Sequence, residues 1–229
     1  MRINSISKRL MTAVGFVREG ARFADVGTDH GYLPIYLSKK GIVESAVASD
    51  INEGPLESAR KNIRENGVED KVVTVLSDGL LGLREYAPTD IAIFGMGGEL
   101  VCRIIEESPW VKKDGIRLIL QPMTKQAEMR EYLLDHGFSI VDEALSLDEG
   151  KIYQTVCAEY SGNVGVYGEL ELMLGKINIE RGEPLFYELV EKKIEMYSLR
   201  LDGLRKAGLG DEEDRILCML KEILKEKRI

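Results

Sequence analysis

Cysteine, histidine and tryptophan are scarce in this 229-residue chain, which holds three, two and one of them. Cys102, Cys157 and Cys218 are odd in number and share no short spacing. That excludes a disulfide framework or zinc ribbon and predicts buried free thiols. With His30 and His136 the only histidines, no metal is expected. No apolar run approaches the roughly 18 residues of a membrane span. The opening Met1-Arg2-Ile3-Asn4-Ser5 lacks an apolar signal core, so a cytoplasmic protein with no membrane partner is expected. No Ser/His/Asp or Cys/His set supports covalent catalysis. The net charge of −8 argues mildly against a polyanionic partner, yet residues 1–22 hold Arg2, Lys8, Arg9, Arg18 and Arg22 against Glu19 alone. A basic N-terminal segment could still meet phosphate.

Apolar patterning is abundant. Strands are expected at 22–26, 45–49, 71–76, 90–95, 116–121, 138–147 and 151–159, the first five separated by helical patterns, as in βαβ units of a parallel sheet. Leu33, Tyr36 and Leu37 line one helix, with Gly41 as its stop. Pro55 opens the next, with Leu56, Ala59 and Ile63 inward and Gly67 past its end. Leu100, Ile104 and Ile105 mark a third. Leu10, Val14 and Val17 make 5–18 a covering helix. Asp148-Glu149-Gly150 turns the last two strands into an antiparallel hairpin. This order is that of an α/β, seven-stranded, Rossmann-like methyltransferase sheet, expected over residues 1–161. Residues 162–229 read as a coiled-coil-like C-terminal helical hairpin. Its first helix is striped by Leu189, Ile194, Tyr197, Leu201 and Leu204, and Gly208-Leu209-Gly210 is the break. Asp211 caps the second helix, striped by Ile216, Leu220, Ile223 and Leu224. It is either a stabilising or dimerising appendage or a substrate-gripping arm.

The first strand ends in Asp25-Val26-Gly27-Thr28-Asp29-His30-Gly31, a turn whose glycines let backbone approach a ligand at the C-terminal edge of the sheet. The spacing Asp-x-Gly-x-x-x-Gly differs from the dinucleotide G-x-G-x-x-G and suits S-adenosylmethionine better than NAD. Asp50, ending strand two, is placed to accept from two ribose hydroxyls. Asp78, in Ser77-Asp78-Gly79 after strand three, is placed for an adenine amino group. Gly95-Met96-Gly97-Gly98 after strand four forms a wall that admits a flat base, and the Gly97 and Gly98 amides open the next helix. Gln121, ending strand five, either hydrogen-bonds a base or satisfies a loop amide. His30 either orients its loop or titrates, and Tyr32 either stacks or packs.

Ser7-Lys8-Arg9-Leu10, Asp25 through Pro34, Gly95-Met96-Gly97-Gly98 and Leu118-Ile119-Leu120-Gln121-Pro122 together resemble the bacterial TrmK family. These are tRNA (adenine-N1)-methyltransferases acting on adenosine 22, with a seven-stranded domain and a C-terminal helical hairpin. The resemblance implies S-adenosylmethionine as donor, tRNA as partner, and a monomer or weak homodimer. It implies a cofactor site of Asp25, Gly27, Asp29, His30, Gly31, Asp50, Ile51, Asp78, Gly79, Gly95, Met96 and Gly97. Lys8, Arg9, Gly98 and Pro122 would face the substrate. Asp29 would stand near the developing cation, with Tyr32 and Gln121 orienting the base. The rival readings are a non-catalytic S-adenosylmethionine- or RNA-binding protein and a small-molecule methyltransferase.

Overall fold

The computed structural model describes residues 6–205 and 209–226; Arg2 and Gly208 of the readings above lie outside them. The chain forms two compact units, Met1–Val166 and Tyr167–Ile229.

The first unit contains strands β1 (Ala21–Val26), β2 (Val43–Asp50), β3 (Val72–Leu76), β4 (Asp90–Phe94), β5 (Arg117–Gln121), β6 (Phe138–Asp148) and β7 (Lys151–Tyr160). They form one sheet in the order β3-β2-β1-β4-β5-β7-β6. β1 to β5 are parallel and β7 runs antiparallel to both β5 and β6. Ile91, Ala92 and Ile93 are wholly buried, as both-sided cover of a parallel strand requires. Glu149 and Gly150 join β6 to β7 with φ of +47° and +76°, the left-handed pair of a two-residue hairpin turn.

Helices α1 (Lys8–Val14), α2 (Tyr32–Lys39) and α3 (Glu53–Asn66) bury Ala13, Leu33, Ile35, Leu37 and Ile63 in one cluster with Phe23, Ala92, Phe94 and Ile119. Helices α4 (Gly98–Glu106) and α5 (Gln126–Asp135) pack on each other. The expected 5–18 helix is much shorter. Ser7 caps it by accepting from the Leu10 amide, and a hydrogen-bonded turn from Ala13 carries Phe16 and Val17 into the core. The third helix starts at Glu53, two residues before Pro55. On α4, Leu100 points outward and Val101 takes the buried place beside Ile104 and Ile105. Only Cys157 is a buried thiol; Cys102 is half-buried and Cys218 exposed. Beyond β7, Gly162 N–H donates to Gly137 O at 3.0 Å and Gly165 N–H to Leu134 O at 3.2 Å, so this stretch stays tied to the end of α5.

The second unit holds the two long helices, α8 (Pro184–Arg205) and α9 (Asp211–Glu226), packed on each other, and two short ones not foreseen, α6 (Glu169–Leu174) and α7 (Lys176–Arg181). Leu189, Val190 and Leu201 of α8 and Ile216, Leu217 and Leu220 of α9 are buried; Ile194, Tyr197 and Leu204 are half-buried. Arg200 pairs with Glu213 at 2.8 Å across the hairpin. Helix α9 begins at Asp211 itself, so this residue is in the first turn rather than before it.

Candidate active site

Chain order reverses direction across the sheet between β1 and β4, and a ligand crevice is expected outside the C-terminal ends of those strands. A cleft of about 570 Å³ lies there, lined by Asp25, Gly27, Thr28, Asp29, His30, Tyr32, Leu33 and Phe94 and closed from the other side by Ile6, Ser7, Arg9 and Leu10 around the start of α1.

The turn after β1 is built by hydrogen bonds. Thr28 Oγ1, itself buried, donates to Asp25 Oδ2 at 2.7 Å and accepts from Gly31 N–H at 3.1 Å. Ser49 O accepts from the Gly27 and Thr28 amides, and Asn62 of α3 donates to His30 O at 3.0 Å. Asp25 is 8% exposed. Burial pushes its carboxyl from 3.8 up to about 6, against the Thr28 hydrogen bond and the Arg9 charge, both of which favour ionisation. Asp29 and His30 pair at 3.2 Å at the rim, where 81% of the Asp29 side chain is exposed. The His30 and Tyr32 rings lie 5.1 Å apart.

Arg9 ties the cleft together. Its backbone N–H, one of the donors orphaned at the start of α1, donates to Asp148 Oδ2 at 3.4 Å, and its carbonyl accepts from Gln121 Nε2 at 3.4 Å. The guanidinium stands 5.5 Å from the Tyr153 ring centroid, a cation–π contact. A Cβ added at Gly95 would meet only Arg9 Nη1, at 3.8 Å, so Gly95 is an open wall. A Cβ at Gly27 would strike Met96 Cε, which brings these two site residues together.

Asp50 and Ile51 stand at the end of the neighbouring β2. Asp50 Oδ1 accepts from Asn52 N–H at 2.7 Å, and Ile51 is exposed. Asp78 follows β3 and is exposed too, its turn pinned by Ser77 Oγ accepting from Gly82 N–H at 3.0 Å. These residues continue the same sheet edge beyond the lining of the cleft.

Several expectations need correcting. Gly98 does not face a substrate: it is buried, and a Cβ there would lie 2.9 Å from Thr124 O and closer still to Lys125 O. Pro122 is buried, and its carbonyl accepts from Gln126 at 3.2 Å. Gln121 has no exposed surface; its Nε2 donates to Thr155 Oγ1 at 2.7 Å and its Oε1 is buried without a partner among the described residues. It therefore braces α1 against β5 and β7 and does not enter the cleft. Lys8 is exposed outside the lining, whereas Arg9 is in it, beside Asp25. Gly31 serves packing as well as the turn, since a Cβ would come within 3.3 Å of Ala59 Cβ on α3. Gly79, at φ +55°, likewise lies against Ile104, 2.9 Å from an added Cβ. Gly97 and Gly98 do open α4, as cap and first residue. Thr28 and Phe94 were missed; Thr28 sat inside a quoted motif, and only its hydrogen-bonding capacity two to three residues either side could have singled it out.

The chemistry of the cleft fits the methionyl end of S-adenosylmethionine. A buried carboxylate and a guanidinium flank one cavity, and the ligand carries an ammonium and a carboxylate on the same carbon. Among the described residues no group of His, Cys, Asp and Glu is arranged to hold a metal ion, and no helix is long and apolar enough to cross a membrane.

A family profile for a methyltransferase domain matches residues 6–156. The tRNA (adenine(22)-N(1))-methyltransferase of Bacillus subtilis (strain 168) is 32% identical over 172 residues, covering 75% of this chain and 72% of the relative. A Streptococcus pneumoniae structure described as a tRNA (m1A22) methyltransferase in complex with S-adenosyl-L-methionine superposes with a TM-score of 0.86, at 34% identity over 96% of this chain and all of that one. The Bacillus subtilis m1A22 tRNA methyltransferase TrmK does so with a TM-score of 0.82, at 27% identity over 97% of this chain and 98% of that one. With its switch-point cleft, its motif-bearing turns and this likeness along most of its length, the chain belongs to the tRNA (adenine(22)-N(1))-methyltransferase family.

Proposed function

We propose that this protein transfers the methyl group of S-adenosylmethionine to N1 of adenosine 22 in tRNA, in the cytoplasm. The observation that carries the reading is the cleft at the ends of β1 and β4, where Asp25 and Arg9 oppose each other beside the open Gly95 wall.

S-adenosylmethionine, when bound, supplies an electrophilic sulfonium methyl. Asp25 would accept from the ammonium of its methionyl part and Arg9 would donate to the carboxylate, so Arg9 would serve the cofactor rather than the tRNA. Asp50 would accept from the ribose hydroxyls with the carboxylate oxygen that Asn52 leaves available. Ile51 and Asp78 would serve the adenine, Ile51 with its exposed apolar side chain and Asp78 as acceptor for the amino group. Gly27, Gly31 and Gly95 keep the edge low enough for that approach.

Adenine N1 already holds an in-plane lone pair, so no proton need leave before attack and no general base is required. Rate enhancement then rests on alignment, which supplies roughly 7–11 kcal/mol in well-oriented systems. Tyr32 and the Gly95–Gly97 wall orient a base turned out of its stack. Asp29 stands at the rim to meet the positive charge that passes to the ring; its pairing with His30 holds it there. Gln121 acts at one remove, by holding the Arg9 carbonyl.

The test is methylation of unmodified tRNA by the full chain, with mass mapping of the product nucleoside. 1-Methyladenosine at position 22 is expected. A product methylated elsewhere, or on a small molecule and not on tRNA, overturns the reading.

A further inference from the structure

The fold disperses the cations of the N-terminal segment. Arg9 faces the cofactor cleft, and Arg18 is locked to Asp90 at 2.6 Å. Arg22 is left at the opposite edge of the sheet, at the start of β1. There it lines a second cleft, of about 590 Å³, formed at the N-terminal ends of β1, β4 and β5 by the segments 84–89 and 109–116. Arg22 Nε donates to Ala87 O at 2.7 Å, which fixes the guanidinium in the wall. Arg84, Lys112 and Lys113 share the lining with one carboxylate, Asp114. Lys112 pairs with Glu106 at 3.2 Å. Among the described residues no carboxylate forms an ion pair with Arg22, Arg84 or Lys113, and all three are exposed. The remaining feature is Trp110, half-buried, the chain's single tryptophan.

Uncompensated cations gathered in one concavity do nothing for the stability of the fold, because like charges repel. Nor can they serve the cofactor, which lies at the far ends of the same strands, about 17–20 Å away for strands of this length. Guanidinium and ammonium groups beside an aromatic face are what a nucleotide needs: phosphate on the cations, base on the ring. The volume is within the range of small-ligand clefts.

We propose that this cleft is a second RNA contact, in which Arg22, Arg84 and Lys113 neutralise phosphodiester oxygens and a base stacks on Trp110. The proposal rests on tRNA being the substrate. A free mononucleotide presents the same chemistry, and the test separates the two sources.

Because Trp110 is the only indole, its emission reports on this cleft alone. The full-length protein, saturated with S-adenosylmethionine, is titrated with unmodified tRNA and separately with AMP. Expected is a saturable change in Trp110 emission over the concentrations at which filter binding detects tRNA, with AMP ineffective there. The double variant Arg84→Ala/Lys113→Ala should raise the tRNA KM roughly tenfold and lower the slope of log affinity against log salt by about two. Its kcat and its affinity for S-adenosylmethionine should stay unchanged. If tRNA is bound and methylated while Trp110 emission is unmoved and the double variant keeps its KM, the second contact is wrong and the methyltransferase reading stands. Saturation by AMP at lower concentration than tRNA assigns the cleft to a free nucleotide and equally overturns the RNA contact. A wild-type protein that neither binds nor methylates tRNA overturns both.

Discussion

The two edges of one sheet each bury an aspartate, and the two are treated in opposite ways. At the N-terminal edge Asp90 has no exposed surface and accepts from Arg18 Nε, Nη2 and backbone N–H at 2.6–2.9 Å. At the C-terminal edge Asp25 receives, among the described residues, only the Thr28 hydroxyl as a side-chain donor, and burial pushes its carboxyl up to about 6. Asp90 is complete within the protein. Asp25 is a carboxylate held out of water beside the Arg9 charge, with a single hydroxyl as side-chain donor among the described residues, and perturbed groups of this kind cluster at functional sites.

Breaking the satisfied edge should have the largest effect. Arg18→Ala leaves Asp90 buried without its cation and should cost about 3–5 kcal/mol of stability, read from urea unfolding. The affinity of the remaining folded protein for S-adenosylmethionine should be unchanged; a parallel loss of affinity would mean that the two edges are not independent. Next comes Asp50→Ala, which removes the acceptor proposed for the ribose hydroxyls. Calorimetry should show S-adenosylmethionine binding weaker by about 1.5–3 kcal/mol, and near-native binding would remove Asp50 from the site.

Asp25→Asn should separate stability from binding with opposite signs. Because the folded carboxyl titrates near 6 and the unfolded one near 3.8, its ionisation burdens the unliganded fold. That burden is fully present above about pH 6 and is relieved as pH falls toward 3.8. The substitution should therefore stabilise the unliganded protein at pH 7.5 by about 1–3 kcal/mol while weakening S-adenosylmethionine binding. In the wild type, affinity should rise with pH through about 6 and then level off; affinity independent of pH between 5 and about 7.5 would show that Asp25 does not meet the ligand's ammonium. The smallest effect belongs to His30. His30→Ala should leave single-turnover methyl transfer within about threefold of wild type, and the rate should be flat from about pH 6.5 to 9, since N1 needs no deprotonation. A rate rising tenfold per pH unit would establish a general base.

Sequence patterning located all seven strands to within about two residues, because an alternation of apolar runs and helical stripes is a local signal. The hairpin turn was legible for the same reason, since Gly150 takes a positive φ without strain, although Glu149 at φ +47° is an uncommon residue for that conformation. What escaped depends on partners distant in the chain. Gln121 sits at a strand end where a ligand group would sit, but Thr155 of β7 claims its amide. Gly98 looks like part of a substrate wall until the 124–125 loop folds against it. The basic cleft draws on positions 22, 84 and 110–114, which no motif connects. The short α6 and α7 were hidden in a stretch too brief for helical periodicity to register.

Helix α1 is seven residues long, well under the roughly 12–15 at which an isolated helix becomes marginal. Its second amide is capped by Asp148, at the tip of the β6–β7 hairpin, and its Arg9 carbonyl is held by Gln121. The roof of the cofactor cleft is thus lent by a distant part of the chain. A lesion at Asp148, which is not itself part of the cleft lining and reaches it through the Arg9 amide, would present in a screen as a cofactor-binding defect. Hydrogen exchange would trace it to early opening of residues 8–14 over an intact sheet.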